Sequence, residues 1–394
     1  MGLFDAGILS GFRTTVATFP GNVFDRMGAL SLFSEFKRRQ YNPVLEPLTK
    51  AWPWRELRRF AVTKSGLHRY IQNNKEFYNV DGVYQDLDKR VADSLKIANK
   101  NGTDAIYAYE DGALLSFIEA KRLGMKCLYD LPTGYWRTVR KIMDIERERR
   151  PEWESTLTGL DDTTAKLARK DEELRLADRI FVASSFVANT LKDYPGKLAS
   201  VEIIPYGFPP VCSSREYAPI RQRPVKLLYV GKLSQMKGIA ELFAAVDAFG
   251  TRVELTLVGR KVGQECAALE AALAKHRWIP SLPHPEILKI MREHDVLIFP
   301  SLLEGFGLVI TEAMSQGTPV ITTERTAGID LINHSENGWI ADAGSVDSLQ
   351  MNIENILTKP DLIKETGRLA MEAANNRPWG VYEQELVQSI LKIN

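Results

Sequence analysis

The stretch that decides the fold is PSLLEGFGLVITEAMSQGTPVI, residues 300–321. An apolar run at 295–299 precedes it and predicts a buried strand, and residues 308–316 predict a short helix. Glu304 lies just before the turn that joins the two, and Glu312 lies on the helix. The stretch therefore predicts a strand–turn–helix unit with a carboxylate on each side of the turn.

The turn itself indicates a ligand. Gly305 and Gly307 let the backbone come close to a bound molecule. The first turn of the following helix carries unpaired N–H groups and the positive end of the helix dipole, which suit an anion such as a diphosphate. The carboxylates of Glu304 and Glu312 are better suited to accept hydrogen bonds from sugar hydroxyls. A phosphate site beside two hydroxyl acceptors predicts a nucleotide-sugar.

A second loop, GKLSQMKG at residues 231–238, follows another apolar run at 226–230. Lys232 and Lys237 supply point positive charges for phosphate, and such cations stabilise the charge that develops on a departing nucleoside diphosphate. In a parallel sheet, both loops can open at one edge. The two loops together predict a single site.

The chain alternates strand and helix patterns, most clearly in its second half. We predict strands at 104–109, 126–130, 179–183, 201–204, 226–230, 253–258, 295–299, 319–322 and 338–341, and helices at 113–123, 137–149, 239–249, 264–275, 285–293, 308–316 and 346–357. Continuous apolar strands that alternate with helices indicate parallel sheets covered on both faces. We predict an α/β protein with two doubly wound domains that face a cleft.

Composition limits the function classes. The chain has 394 residues and a net charge of +1, which gives no overall case for nucleic acid. No apolar run approaches the roughly 20 residues of a transmembrane helix. The N-terminus lacks a secretory pattern, and Cys127, Cys212 and Cys266 are scattered, so we expect free thiols in a reducing cytosol. No ligands cluster as a zinc site requires, so we expect no metal and no cofactor.

The first 70 residues hold eleven Lys or Arg against five Asp or Glu. Basic and aromatic residues alternate at 36–39 and 52–59. This pattern indicates either peripheral contact with an anionic membrane at its inner face or a solvated, partly packed helical excursion. No convincing first strand is evident, and residues 16–19 are the best candidate.

Several motifs occur in an order that resembles one family. The spacing Glu-x7-Glu is present as Glu304 and Glu312, the GKLSQMKG loop precedes it, and Leu257-Val-Gly, Asn337-Gly, Ala183-Ser-Ser-Phe-Val and Ile204-Pro-Tyr-Gly fall in matching order. The chain resembles the retaining GT-B glycosyltransferases of family 4, also called glycosyl transferases group 1, which have two Rossmann-like domains. The resemblance is specific over residues 175–345 and faint before residue 100.

The resemblance implies a domain for the acceptor at 1–210, one for the nucleotide-sugar at 211–376, and a helix at 377–394 that returns to the first domain. It implies that Lys232 and Lys237 hold the diphosphate of a UDP- or GDP-sugar, Glu312 the ribose, and Glu304 the transferred sugar. The implied donor-binding set is Gly231, Lys232, Lys237, Arg260, Ile279, Glu304, Gly305, Phe306, Gly307, Leu308, Val309 and Glu312. The implied acceptor is a glycan or a lipid-linked molecule, and the reaction needs neither an enzymatic nucleophile nor a metal.

One departure from the family concerns catalysis. Members often carry a His at the end of a strand in the first domain, where this chain has Asp130. Asp130 either accepts a hydroxyl hydrogen bond in the cleft or caps a turn. The catalytic candidates are therefore Glu304, Asp130 and Lys237. Two alternatives stay open. One is a non-catalytic relative that acts as a partner subunit, which the absent His favours. The other is a sugar-nucleotide epimerase or hydrolase, against which the scarcity of His argues.

Four further features have weaker interpretations. Asp86-Leu-Asp88 is read as a solvated helix face and not as a metal motif. Residues 110–112 follow a strand and are candidates for acceptor binding. His284 is read as structural, and His294 is expected to interact with the dipole at the end of its helix.

Overall fold

The computed structural model describes residues 1–28, 36, 38–64, 79–159, 162–220 and 223–392. Its strands are β1 (Phe12–Thr14), β2 (Thr49–Ala51), β3 (Ala105–Tyr109), β4 (Lys126–Leu131), β5 (Arg179–Val182), β6 (Ser200–Ile203), β7 (Val225–Val230), β8 (Val253–Val258), β9 (Arg277–Ile279), β10 (Val296–Phe299), β11 (Val320–Thr323) and β12 (Trp339–Ala341). Its α-helices are α1 (Gly2–Asp5), α2 (Val23–Gly28), α3 (Trp54–Lys64), α4 (Val80–Lys100), α5 (Leu114–Arg122), α6 (Trp136–Arg149), α7 (Thr164–Leu176), α8 (Ser185–Thr190), α9 (Ile239–Asp247), α10 (Ala267–Leu273), α11 (His284–Glu293), α12 (Leu308–Ser315), α13 (Gly328–Leu331), α14 (Val346–Thr358), α15 (Leu362–Asn376) and α16 (Trp379–Leu391).

The second half of the chain forms a parallel sheet of six strands in the order β12-β11-β10-β7-β8-β9. All four residues of β10 and of β11 are buried, as expected for strands covered by helices on both faces. β10 pairs directly with β7 in parallel, with Val296 opposite Leu227. The two loops singled out in the sequence therefore leave neighbouring strands at the same edge of the sheet.

The first half forms a parallel four-stranded sheet in the order β3-β4-β5-β6 and a separate parallel pair, β1 with β2. The prediction of a first strand at 16–19 is wrong. The strand is Phe12–Thr14, and residues 16–19 are buried but make only an isolated bridge between Thr18 and Gln40. The apolar character of 16–19 reflects burial and not a ladder of strand hydrogen bonds.

The last helix connects the two halves. Tyr382, Leu386 and Ile390 of α16 pack against a buried cluster formed by Leu128 of β4, Phe181 of β5 and Ile204. The guanidinium of Arg377 donates a 2.6 Å hydrogen bond to the carbonyl of Pro205.

The predicted α/β class with two doubly wound parallel sheets is confirmed.

One minor prediction is corrected. Asp88 does not lie on a solvated face; it is buried, and its carboxylate accepts hydrogen bonds from the N–H groups of Leu115 and Ser116 at the start of α5. Asp86 lies on the surface and pairs with Arg90 at 2.8 Å. His294 lies at the end of its helix, where its buried ring nitrogen Nδ1 is 2.8 Å from the carbonyl oxygen of Ile290, and burial lowers its pKa.

The basic segment near the N-terminus is described in part, since residue 37 and residues 65–78 lie outside the described residues. Among the described residues, no helix combines the length and the apolar character needed to cross a bilayer. All three cysteines are free thiols, and Cys127 and Cys266 are buried.

Candidate functional site

The two loops predicted to share a site are in contact. The ammonium group of Lys237, in the loop after β7, forms a salt bridge with the carboxylate of Glu304, in the loop after β10. Their side chains keep exposed fractions of 18% and 17%. The predicted phosphate-binding cation and the predicted sugar-binding carboxylate are thus joined at the edge of the sheet, where solvent still reaches both.

The glycines of these loops are required by close backbone approaches. A Cβ on Gly305 would lie 1.8 Å from the carbonyl oxygen of Pro132. A Cβ on Gly259, in the neighbouring loop after β8, would lie 1.7 Å from the carbonyl oxygen of Gly231. Gly307 has φ of +90° and forms the N-cap of α12, a conformation that favours glycine. Leu308 and Val309 begin that helix, and Leu308 is 48% exposed. The start of the helix is therefore exposed to solvent.

Glu312 lies in the second turn of α12 and has a partner that the sequence reading did not assign to it. The imidazole Nε2 of His284, at the start of α11, is 3.0 Å from its carboxylate. Burial raises the pKa of Glu312, and the neighbouring His284 opposes that shift. His284 is therefore in contact with the predicted ribose-binding residue, which no local sequence signal at His284 indicated.

The remaining predicted donor residues surround these loops. Lys232 is exposed, and its carbonyl accepts a 2.7 Å hydrogen bond from the hydroxyl of Tyr229. Arg260 is exposed, whereas the adjacent Lys261 is engaged by Glu270 at 2.6 Å and by the Trp278 ring at 4.4 Å. Ile279 is half-buried, and its carbonyl accepts a hydrogen bond from the N–H of Gly259.

The Gly305–Gly307 turn also touches the first sheet. The hydroxyl of Ser184, just after β5, donates a 2.8 Å hydrogen bond to the carbonyl of Gly305. The ring of Tyr206, after β6, has its centroid 4.8 Å from that of Phe306, which is buried. The carboxyl ends of both sheets therefore face the same turn. The sequence matched the motifs that contain Ser184 and Tyr206 but gave neither side chain a role.

Asp130, at the end of β4, is buried and 4% exposed. The hydroxyl of Tyr107 donates a hydrogen bond to its carboxylate, and Tyr206 and Tyr382 lie close enough to interact with its charge. Burial raises the pKa of Asp130 to about 6, although the hydrogen bond from Tyr107 opposes the shift. The structure thus places Asp130 among phenols, next to the Tyr206 ring that packs on the Gly305–Gly307 turn.

Residues 110–112, which follow a strand, were predicted as candidates for acceptor binding, and the structure now defines the surroundings of Glu110. Glu110 follows β3, accepts a 3.3 Å hydrogen bond from Thr133, and lies 3.3 Å from the ammonium of Lys170. Burial raises the pKa of Glu110. Asp111 has φ of +73°, which is uncommon for a residue other than glycine. Among the described residues, no group of three or more His, Cys, Asp or Glu side chains could hold a metal ion.

Comparison with known proteins identifies the second half of the chain. Residues 213–374 match the family model for glycosyl transferases group 1. Glycogen synthase from Mycobacterium tuberculosis is 29% identical over 161 residues, which cover 39% of this chain and 38% of that protein. D-inositol 3-phosphate glycosyltransferase from Paenarthrobacter aurescens is 27% identical over 54% of this chain and 57% of that protein. The aligned parts span less than two thirds of these curated relatives.

Solved structures extend the likeness to the fold of the chain. Sucrose-phosphate synthase from Thermosynechococcus elongatus matches with a TM-score of 0.60 and 21% identity over 79% of both chains. The Anabaena protein HepE, in complex with UDP and glucose, matches with a TM-score of 0.59 and 15% identity over 96% of this chain and 98% of that one. Residues 213–374 therefore match the glycosyl transferases group 1 family, in a chain with the GT-B fold.

Proposed function

We propose that this protein is a retaining, metal-independent glycosyltransferase that moves a sugar from a nucleotide-diphosphate sugar to a glycan or lipid-linked acceptor. The observation that carries the proposal is the salt bridge between Lys237 and Glu304 at the ends of two neighbouring strands. The pair stands beside an open helix start at Gly307. A cation, a set of free N–H groups and a hydroxyl acceptor in one place are what a diphosphate joined to a sugar requires.

The diphosphate is assigned to Lys232, Lys237 and the backbone N–H groups of residues 307–309. An ammonium group has three donors, so Lys237 can hold Glu304 and a phosphate oxygen at the same time. As the bond from the sugar to the phosphate breaks, negative charge grows on the departing oxygen. The two lysines and the helix dipole stabilise that charge, which lowers the barrier.

The carboxylates are assigned to hydroxyls. Glu312 accepts hydrogen bonds from the ribose, and His284 favours the ionised form that accepts them. Glu304 accepts hydrogen bonds from the transferred sugar. Because Glu304 is already paired with Lys237, it is a poor nucleophile. The acceptor hydroxyl instead attacks from the face that the phosphate leaves, and the departing phosphate oxygen takes its proton, so configuration is retained.

The acceptor is assigned to the half of the chain at 1–210, the donor to 211–376, and the helix at 377–394 to coupling them. Asp130, whose pKa is raised by burial to about 6, is assigned to orienting the acceptor hydroxyl. Two proteins of similar fold support the donor class and the stereochemical outcome: HepE was solved in complex with UDP-glucose, and trehalose-6-phosphate synthase transfers a glycosyl group with retention.

We also propose peripheral contact between the first half and an anionic membrane. Trp54, which is 70% exposed, and Arg58 stand one helical turn apart on the exposed side of α3. An exposed Trp beside a basic residue is typical of a helix that lies in the interface of a bilayer. Such contact would bring the cleft to a lipid-linked acceptor.

The donor assignment is tested by a calorimetric screen of UDP, GDP, ADP and their common sugar conjugates. We expect selective binding of one nucleotide that is unchanged by EDTA and at least about tenfold weaker in Lys237→Ala and Glu312→Ala, since each loses a charged hydrogen-bond partner. Lys275→Ala is the matched control, because Lys275 is also a paired lysine, 2.7 Å from Asp247, on the surface of the same half.

Two results would contradict the proposal. If wild type binds no nucleotide, the donor site is absent. If wild type binds a nucleotide-sugar but transfers no sugar to glycan or lipid-linked acceptors, the protein is a non-catalytic relative and not a transferase. Binding followed by epimerisation or hydrolysis of the donor would support the remaining alternative.

A further inference from the structure

A short segment of the first half is built into the second. We call residues 146–156 the strap; they comprise the end of α6 and a 3₁₀-helix, Pro151–Thr156. Trp153 of the strap is 6% exposed and belongs to the hydrophobic core of the six-stranded sheet. Its ring stacks on that of Phe243 in α9, with centroids 6.0 Å apart and planes inclined by 18°. The strap is therefore anchored in the half of the chain that carries the donor loops.

The strap ends directly under the loop that carries the two lysines. The hydroxyl of Ser234 donates a 2.7 Å hydrogen bond to the carbonyl of Thr156, and the N–H of Gln235 donates a 2.9 Å hydrogen bond to the Thr156 hydroxyl oxygen. That hydroxyl in turn donates to the carbonyl of Trp153 at 2.8 Å. Thr156 is fully buried, so these bonds are shielded from water. The middle of the Lys232–Lys237 loop thus rests on the strap.

A buried cluster of polar side chains also holds this loop, through the side chain of Gln235. The amide nitrogen of the Gln235 side chain donates to Glu146 of the strap and to Glu241 of α9, each at 2.7 Å. Arg149 and Arg150 of the strap form salt bridges with the same Glu241. Because both arginines come from the first half, the charge of Glu241 is compensated across the junction of the two halves.

The strap also reaches the loop that follows β8. The carbonyl of Ser155 accepts a 3.1 Å hydrogen bond from the N–H of Gln264. Gly263 has φ of +80°, and a Cβ there would lie 2.0 Å from the same carbonyl. This loop contains Arg260, another predicted donor residue. One segment of the first half therefore sets the backbone of two donor loops.

We infer that the strap is a positioning element for the nucleoside diphosphate, and that Thr156 places Lys232 and Lys237 for it through Ser234 and Gln235. The inference rests on the proposed function and adds residues that lie outside the motifs. Charged groups contribute most to binding and to transition-state stabilisation when their positions are fixed beforehand. A loop held at its centre keeps both lysines, one on each side, at a constant spacing.

The test compares three substitutions at two matched threonines. Thr156→Val keeps the shape but removes the hydroxyl, and Thr156→Ser keeps the hydroxyl. Thr190→Val is the control: Thr190 is equally buried, its hydroxyl donates to the carbonyl of Val187 and accepts from the N–H of Tyr135, and both partners lie in the first half. Affinity is measured by calorimetry for whichever of UDP, GDP or ADP wild type binds.

We expect about tenfold weaker binding in Thr156→Val, because a buried N–H loses its acceptor, with recovery in Thr156→Ser and no loss in Thr190→Val. Hydrogen exchange of the ligand-free protein should quicken at residues 234–237 in Thr156→Val alone. Wild-type affinity and unchanged exchange in Thr156→Val would overturn the inference. If exchange responds but wild type binds no nucleotide, the strap orders the loop while the proposed function fails.

Discussion

At the scale of single residues, Asp130 gives a pH-dependent prediction. Burial raises its pKa from 3.8 to about 6, so between about pH 4 and 6 the folded protein retains a proton that the unfolded chain has released. Stability contributed by this group is therefore lost as pH rises through that window. Asp130→Asn keeps an acceptor for Tyr107 without the buried charge. We expect it to raise the free energy of unfolding at pH 8 by up to about 3 kcal/mol, and by much less at pH 4.

Denaturant unfolding of both proteins at the two pH values measures this difference. An equal effect at pH 4 and pH 8 would contradict the burial argument. If Asp130→Asn also lowers transfer while nucleotide affinity stays unchanged, the result supports the role proposed for Asp130 in orienting the acceptor.

Residue identity alone predicted only part of the candidate site. Gly305 and Gly307 could be picked out because a glycine signals a conformation or a close approach that is largely local. His284 could not, because its contact with Glu312 depends on how α11 packs beside α12. The prediction for Asp88 was wrong for the same reason. A carboxylate in a charged helix is expected to face solvent, and only the packing of α5 over it shows that it is buried.

At the scale of elements, β7, β8, β10 and β11 of the second sheet were predictable because each is an apolar run that is largely buried between helices. The edge strand β9, which is partly exposed, was not predicted. The match of β10 and β11 to their predicted positions follows from that pattern. The strap was not predictable. Trp153 stands in a polar, charged stretch, and only the position of Phe243, ninety residues later, explains why it is buried. A division by chain position assigns Trp153 to the first domain, although its side chain lies in the core of the second.

Helix α3 carries the membrane prediction. Trp54 is 70% exposed and Arg58 is also exposed, so both are available to a lipid surface. We expect Trp54→Ala and Arg58→Glu each to reduce sedimentation with vesicles that contain anionic lipid, since the first removes an interfacial anchor and the second about 1 kcal/mol of attraction and adds repulsion. Ile145→Ala, at a 65% exposed residue of α6, is the control. Equal sedimentation of wild type with anionic and zwitterionic vesicles would contradict membrane contact.

At the scale of the whole molecule, several contacts between described residues join the two halves. The strap enters the second core, the Gly305–Gly307 turn touches Ser184 and Tyr206, and α16 returns to β4 and β5. The Gly305–Gly307 turn is itself part of a donor loop, and the strap contacts two other donor loops. Any relative movement of the halves must therefore alter the surroundings of the donor residues, which couples the position of the acceptor half to the geometry of the donor site.

The last helix offers the clearest test of this coupling. A chain that ends after Asn376 loses Tyr382, Leu386 and Ile390, which cover Leu128, Phe181 and Ile204, and it also loses the bond from Arg377 to Pro205. Exposure of these apolar side chains costs several kcal/mol, roughly 2 for each. We expect calorimetry to show the half at 1–210 unfolding at a lower temperature than the rest, and transfer to fall more than nucleotide affinity. A chain that ends after Leu391 keeps the helix and is the control. Unchanged thermal stability and activity after removal of α16 would show that the remaining contacts suffice to hold the halves together.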